Sequence, residues 1–385
     1  MKKIGKKYRI VVAMSGGVDS SVAALLLKEQ GHEVLGLFMK NWEEWDGEGT
    51  CQASKDFSDM AQVCEQIGIE YRQINLSKEY WQNVFSHFIR DCKEGLTPNP
   101  DVLCNRHIKF DIFLKKALEF EADFVATGHY CQIDRTLPFP RLKKSVDTRK
   151  DQSYFLQGVT EKALEKTLFP IGHLPKSEVR KIAQNHRLIT GDKKDSTGIC
   201  FVGKRAFGEL LGDYLHPQPG SIKTLTGKRV GEHRGLSFYT MGQRRGLGLG
   251  GEGEAWFVVD KDINSNTLLV ERGENHPALY TDRLWAKELS WINPRSGQHF
   301  LTDQSYSLKA KIRYRQRDQD CHLTLLESGE IEAHFSHPQR GIAPGQYICF
   351  YEGDICLGGA KILRREKSFY HRAQIGREQN AISNL

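Results

Sequence analysis

Three short stretches of this chain place residue types that do chemistry close together. In residues 97–110, TPNPDVLCNRHIKF, Asp101 and Cys104 stand three positions apart, and prolines on both sides of Asn99 exclude a helix start before Asp101. If a helical turn opens at Asp101, its carboxylate and the Cys104 thiol share a face, and a thiol near a helix N-terminus is biased toward thiolate. That pair suits proton transfer beside a sulfur nucleophile. It equally suits a capping aspartate followed by a buried cysteine, and the spacing alone does not choose. In STGICF, residues 196–201, Cys200 follows small residues and precedes Lys204 and Arg205. A reactive thiol on a loop has such neighbours, as does an ordinary strand-edge cysteine. The third stretch is VVAMSGGVDSS, residues 11–21, in which a glycine pair joins an apolar run to three small polar residues.

The elements that must position these groups follow from the local pattern. Residues 10–13 read as a buried strand, and Gly16 and Gly17 permit a tight turn. Asp19, Ser20 and Ser21 read as N-cap residues of a helix that continues through Leu27. Amide groups at such a helix start, with the helix dipole behind them, make a phosphate cradle. No lysine follows the glycines, so this is not a Walker loop. SGGVDS instead resembles the loop of the ATP pyrophosphatase superfamily, which splits ATP between the α and β phosphates and adenylates an acceptor oxygen. On that resemblance, serine hydroxyls and amides hold the departing pyrophosphate, and Asp19 helps to place Mg²⁺. A glycine turn without a ligand is the plainer alternative.

Up to residue 126 short apolar strands alternate with helical stretches, the signature of a doubly wound parallel sheet, with Met39 and Thr127–His129 on the same carboxyl rim as the cradle. The expected organisation is an α/β domain over residues 1–216, a small β-rich domain over 217–283, a C-terminal antiparallel β-barrel over 284–364, and a polar tail over 365–385. Asp151 reads as the cap of a helix. The nine cysteines form no CxxC pair, which argues against a disulfide scaffold or zinc ribbon. No membrane span and no signal-peptide core are visible, so the expected compartment is the cytoplasm. The net charge is +7, but residues 141–250 hold 21 Lys and Arg against 10 Asp and Glu. The middle is therefore basic, which points to nucleic acid. Between residues 308 and 317, Lys309, Lys311, Arg313, Arg315 and Arg317 occupy alternate positions, and a strand there would present a basic face spaced to meet a phosphate backbone.

SGGVDS, NPDVLCN (99–105), ATGHY (126–130), KDQSYFL (150–156), STGICF and APGQ (343–346) together closely resemble the bacterial tRNA-specific 2-thiouridylases, through all but about the last twenty residues. The resemblance implies ATP-dependent 2-thiolation of the wobble uridine: adenylation of the C2 oxygen, then sulfur transfer from a persulfide on Cys200. It implies Cys104 as nucleophile, closing a transient disulfide with Cys200, and Asp101 as the group that moves protons. It carries ATP contacts onto Ala13, Met14, Ser15, Gly16, Gly17, Val18, Asp19, Ser20, Met39 and Gly128. It carries tRNA contacts onto Asn99, Pro100, Asp101, His129, Lys150, Asp151, Gln152, Arg313, Tyr314 and Gln346. The implied cofactors are ATP with Mg²⁺ and persulfide sulfur from a donor protein. The implied partners are tRNA and that sulfur-relay donor, with no DNA and no membrane. Two rivals stand beside this reading. One is another adenylating enzyme of the same superfamily. The other is a metal- or iron–sulfur-binding RNA-binding protein with Asp101, Cys104 and Cys200 as ligands, a set of three that is small for a cluster.

Overall fold

In a computed structural model, the structure describes residues 6–42, 52–194, 212–216, 218–297 and 300–374. Cys51 and Cys200 lie outside these residues. β1 (Arg9–Met14), β2 (Glu33–Lys40), β3 (Glu70–Asn75), β4 (Phe124–Thr127) and β7 (Thr167–Leu168) form a parallel sheet in the order β3-β2-β1-β4-β7. β1 is central because Ile10, Val11 and Val12 are all buried, so it needs cover on both faces. One face packs under α1 (Val18–Glu29) and α2 (Gln52–Ile67), through Val12, Met14, Ala24 and Met60. Val11, Leu35 and Leu37 face the other core, which holds Val102, Cys104 and Ile108.

α1 begins two positions earlier than a cap at Asp19 would place it. Its N-cap is Gly17 in an extended conformation, so Asp19, Ser20 and Ser21, the residue types that favour that position, lie inside the helix and do not cap it. The hydroxyls of Ser20 and Ser21 donate instead to the Gly17 carbonyl, at 3.1 and 2.9 Å. A similar shift occurs at Pro100, which opens the helical turn Pro100–Leu103 with Asn99 as its N-cap. Proline tolerates that first position because its missing N–H would be unpaired there anyway. The turn runs directly into a widened, π-helical segment, Cys104–Phe113.

The hairpin β5 (Cys131–Asp134) and β6 (Arg141–Lys144) leaves the parallel sheet and joins the last domain, β6 pairing with β17 (Ile355–Arg365). The small central sheet is β10-β11-β8-β9, from Trp256–Asp262, Thr267–Arg272, Gly220–Lys223 and Arg229–His233. The C-terminal barrel has six strands. Its order is β12 (Tyr280–Trp291), β15 (Ile331–Arg340), β14 (Gln319–Leu325), β13 (Ser305–Lys311), β16 (Tyr347–Glu352) and β17, closed by β12 pairing with β17. β12 crosses the expected boundary at residue 284.

Three expectations are corrected here. β13 ends at Lys311, and Arg315 turns back with φ 64, so the five alternating cations do not form one strand face. Asp151 caps no long helix: it stands before the single 3₁₀ turn Ser153–Leu156, whose Ser153 N–H it accepts at 3.3 Å. The polar tail begins as structure, with β17 reaching Arg365 and a short helix over residues 369–374 held by the Arg372–Asp282 ion pair at 2.9 Å. Among the described residues no helix is long and apolar enough to cross a membrane.

Candidate active site

The glycine turn is closed from both sides. Gly16 takes φ +69, and a Cβ there would lie 2.2 Å from the Asp56 carbonyl oxygen. The Ser15 N–H donates to Ser20 Oγ at 3.1 Å, which ties the loop onto the first turn of α1. Ser20 and Ser21 are buried and brace the loop, so only Ser15 of the serines is exposed beside the helix start. Gly128, at the end of β4, packs against this start, where a Cβ would come within 2.7 Å of Asp19 C and Ser20 N. Ala13, Met14 and Met39 line the adjoining strand ends, Ala13 standing in register with Leu37 and Thr127. The result is a recess floored by α1 amides and kept narrow by glycine, a shape that fits phosphate.

Asp19 is engaged elsewhere. Lys176 Nζ, from the helix Lys176–Asn185, donates to its two carboxylate oxygens at 2.7 and 2.8 Å, and the Tyr130 hydroxyl donates at 2.7 Å. Among the described residues no group of three His, Cys, Asp or Glu side chains stands ready for a metal ion. In this structure the Asp19 carboxylate expected to help place Mg²⁺ is held by Lys176 and Tyr130. Lys193 Nζ donates to the Gly16 carbonyl at 2.8 Å and to Asp56 at 2.9 Å, with Asp59 as a third partner. Burial pulls its pKa down, but the Asp59 and Asp56 carboxylates outweigh that and hold it above the ordinary lysine value. Neither lysine was identifiable from the sequence, because 157 residues separate Lys176 from Asp19 and 177 separate Lys193 from Gly16.

The thiol segment is positioned by all three domains. The Thr97 N–H donates to the Pro344 carbonyl at 2.8 Å, and Gln346 Nε2 donates to the Thr97 carbonyl at 2.8 Å and to Pro98 O at 3.4 Å. Asn99 Nδ2 reaches Gln346 Oε1 at 3.4 Å, and the Thr240 hydroxyl of the central domain donates to Thr97 Oγ1 at 3.0 Å. Gln346 is thus the clamp of the loop that carries Asn99, Pro100 and Asp101. Cys104 is 2% exposed, in the core that also takes Ala13 and Met39 from the nucleotide rim. Burial raises the Asp101 carboxyl above its ordinary pKa, with Lys109 pulling it back. Burial also holds His129 well below the ordinary imidazole value, helped by the same Lys109. His129 Nδ1 meets Thr127 Oγ1 at 2.8 Å, and its ring packs on Phe110 and Phe169. Lys109 links the two motifs; its charge within TPNPDVLCNRHIKF was the signal that could have found it. The expected Cys104–Cys200 pair lies partly outside the described residues.

The expected RNA contacts gather where the α/β domain meets the barrel. Gln152 exchanges two hydrogen bonds with the Tyr130 backbone, both at 2.9 Å. The Tyr314 hydroxyl donates to the Lys150 carbonyl at 3.4 Å, and its ring packs on Phe155 at 4.6 Å between centroids. Asp151 is buried, accepting from Ser145 N–H, Ser153 N–H and Ser153 Oγ and pairing with Lys311 at 3.3 Å. It holds the Lys150–Gln152 segment from beneath. Arg313 donates to the carbonyls of Met241 and Gly341. Burial, then the neighbouring Arg340, lowers its pKa from the ordinary guanidinium value.

Comparison with known families and proteins agrees in domain order. Family models described as "tRNA methyl transferase HUP domain", "tRNA methyl transferase PRC-barrel domain" and "Aminomethyltransferase beta-barrel domain" match residues 8–204, 208–272 and 281–362. The chain is 52% identical to "tRNA-specific 2-thiouridylase MnmA" of Protochlamydia amoebophila, over 94% of this chain and 95% of that one. It is 51% identical to the protein of the same name from Shouchella clausii, over 94% and 98%. Among solved structures it is similar to the U34-tRNA thiolase NcsA from Methanococcus maripaludis with its [4Fe-4S] cluster, at 18% identity and a TM-score of 0.35, over 55% of this chain and 66% of that one.

Proposed function

The chain belongs to the tRNA-specific 2-thiouridylase family, an enzyme that thiolates tRNA uridine at C2, and from this premise we propose how its residues divide the work. ATP lies with its phosphates on the amides of the Gly16–Gly17 turn and the first residues of α1, and the C2 oxygen of the wobble uridine attacks the α-phosphate with loss of pyrophosphate. A carbonyl oxygen that would not leave thereby becomes a leaving group, AMP. Cys200 brings sulfur as a persulfide charged by a donor protein. The outer sulfur reaches C2 by direct attack, or after Cys104 displaces it as sulfide. Both routes release AMP and 2-thiouridine, oxidise Cys104 and Cys200 to a disulfide, and need an external thiol to reset it. Asp101, with its raised pKa, takes and returns the protons. Asn99 and Pro100 border the base, which must leave its stack to be reached. His129, Lys150, Gln152, Arg313, Tyr314 and Gln346 bind or brace the RNA, and the reaction runs in the cytoplasm.

The observation that carries this reading is that the nucleotide rim and the thiol segment share one core, with Ala13 and Met39 packed against the cluster that buries Cys104. Gly128 touches the Asp19–Ser20 backbone, and its neighbour His129 shares the field of Lys109 with Asp101, three residues before Cys104. The test is mass spectrometry of tRNA incubated with the protein, ATP and a persulfide donor. A gain of one sulfur-for-oxygen exchange at the anticodon is expected, lost in Cys104→Ser and in Cys200→Ser with tRNA binding retained. ADP as the nucleotide product, or thiolation surviving either substitution, would refute the scheme.

A further inference from the structure

Both carbonyl oxygens of the glycine pair in the nucleotide loop are tied back, one of them from a distant part of the chain. The hydroxyls of Ser20 and Ser21 donate to the Gly17 carbonyl, and Lys193 Nζ donates to the Gly16 carbonyl at 2.8 Å. The described residues contain no cis peptide bond, and in a trans peptide the N–H points opposite to the C=O. Drawing the Gly16 oxygen onto Lys193 therefore turns the Gly17 N–H the other way. In the same manner the bonded Gly17 oxygen fixes the direction of the Val18 N–H.

Lys193 is itself held firmly. Asp56 and Asp59, one turn apart on α2, both accept from its ammonium, and the three side chains are less than a third exposed. The strand of chain leading to it is strapped down as well. Arg180 donates to the Gly191 and Lys193 carbonyls at 2.8 and 3.1 Å, and the buried Thr190 hydroxyl donates to Ser21 Oγ at 3.0 Å. A lysine gives up much side-chain freedom when it is fixed in this way. Two carboxylates already satisfy its charge, so the bond to Gly16 is not needed for neutrality. One ammonium between two carboxylates also leaves the trio net negative, and it offers a phosphate no attraction of its own. What it supplies to the loop is direction.

We infer that Lys193 is a positioning residue of the nucleotide loop: it orients the Gly16–Gly17 peptide so that the Gly17 N–H meets the phosphates, and it does not touch them itself. The inference rests on the nucleotide reading given under the proposed function. Calorimetric titration of the full-length protein with ATP, and separately with inorganic pyrophosphate, tests it. Lys193→Met is expected to weaken both about tenfold or more, the effect of losing a hydrogen bond from a charged donor, while tRNA binding is retained. Lys193→Arg, which can still donate to Gly16, should recover most of that affinity.

Adding Asp56→Asn and Asp59→Asn to Lys193→Met removes the two stranded carboxylates but returns no donor to Gly16, so the loss should persist. It should persist also in ~1 M salt, where the screening length is about 3 Å and repulsion between those carboxylates and phosphate is suppressed. Recovery of ATP affinity in the triple variant or in high salt would mean that Lys193 only neutralises Asp56 and Asp59, and overturns the inference. So does a Lys193→Met protein that is less stable in urea yet binds ATP and pyrophosphate as the parent does. A parent protein that binds neither ligand sinks the nucleotide reading and the inference with it, so the two failures are told apart.

Discussion

Lys309 and Lys311 are both cations on β13, two residues apart, yet their environments differ enough to make opposite predictions. Lys311 is 10% exposed and faces Asp151, 4% exposed, at 3.3 Å, with Asp318 at 3.6 Å. Lys311→Met leaves Asp151 with its three donors from Ser145 and Ser153 but without a countercharge in a buried setting. Stranding a buried charge in this way costs about 3–5 kcal/mol. Lys309 pairs with Asp320 at 2.6 Å, but the two side chains are 46% and 60% exposed, and solvent screening reduces such a pair to ~0–1 kcal/mol. Equilibrium urea unfolding of the two variants and the parent reads the contrast directly. With a slope of ~3 kcal/mol per molar, Lys311→Met should lower the midpoint by about 1 M or more, and Lys309→Met by a few tenths at most. Adding Asp151→Asn to Lys311→Met should recover part of the loss, because an amide needs no countercharge. The opposite pattern would refute the reasoning: equal small stability losses, with both variants reducing the salt dependence of tRNA binding alike, would make β13 a basic RNA-facing surface after all.

Gly128→Ala should weaken ATP binding more than tenfold by calorimetry while tRNA binding persists, since its Cβ would press on the Asp19–Ser20 backbone. Gly345→Ala puts a side chain at φ +92 with its Cβ 2.9 Å from Thr97 N, so the clamp on the Asn99 loop must open. A fall in kcat at unchanged ATP KM is expected, with a stability loss above ~1 kcal/mol. For Asp101, whose pKa is raised chiefly by burial, the folded state holds a proton that the unfolded state has lost. Stability therefore falls as pH rises from the unfolded to the folded value, and Asp101→Asn should be the more stable protein at neutral pH. The acid limb of the thiolation pH profile should lie above the ordinary aspartate range and vanish in that variant.

The elements that local chemistry builds were legible in the chain. The β1 run and the glycines behind it have only one economical use, a buried strand followed by a tight turn into a helix. The barrel strands are likewise joined by tight turns, Ser328-Gly329 and Gly353-Asp354 among them, and such turns between short strands build an antiparallel sheet. What residue order could not decide was which groups meet across domains. A period of two gives β13 two faces, but it does not say that the Asp151 segment of the first domain covers one of them and turns Lys311 from an RNA contact into a buried partner. Nor does SGGVDS reveal that Lys176 and Lys193 return to Asp19 and Gly16, or that Gln346 comes from the barrel to hold Thr97. Propensity and pattern act over a few residues and fix what each segment becomes. Burial and pairing of charge act over a few ångströms in space, and only the assembled fold determines which distant residues those are.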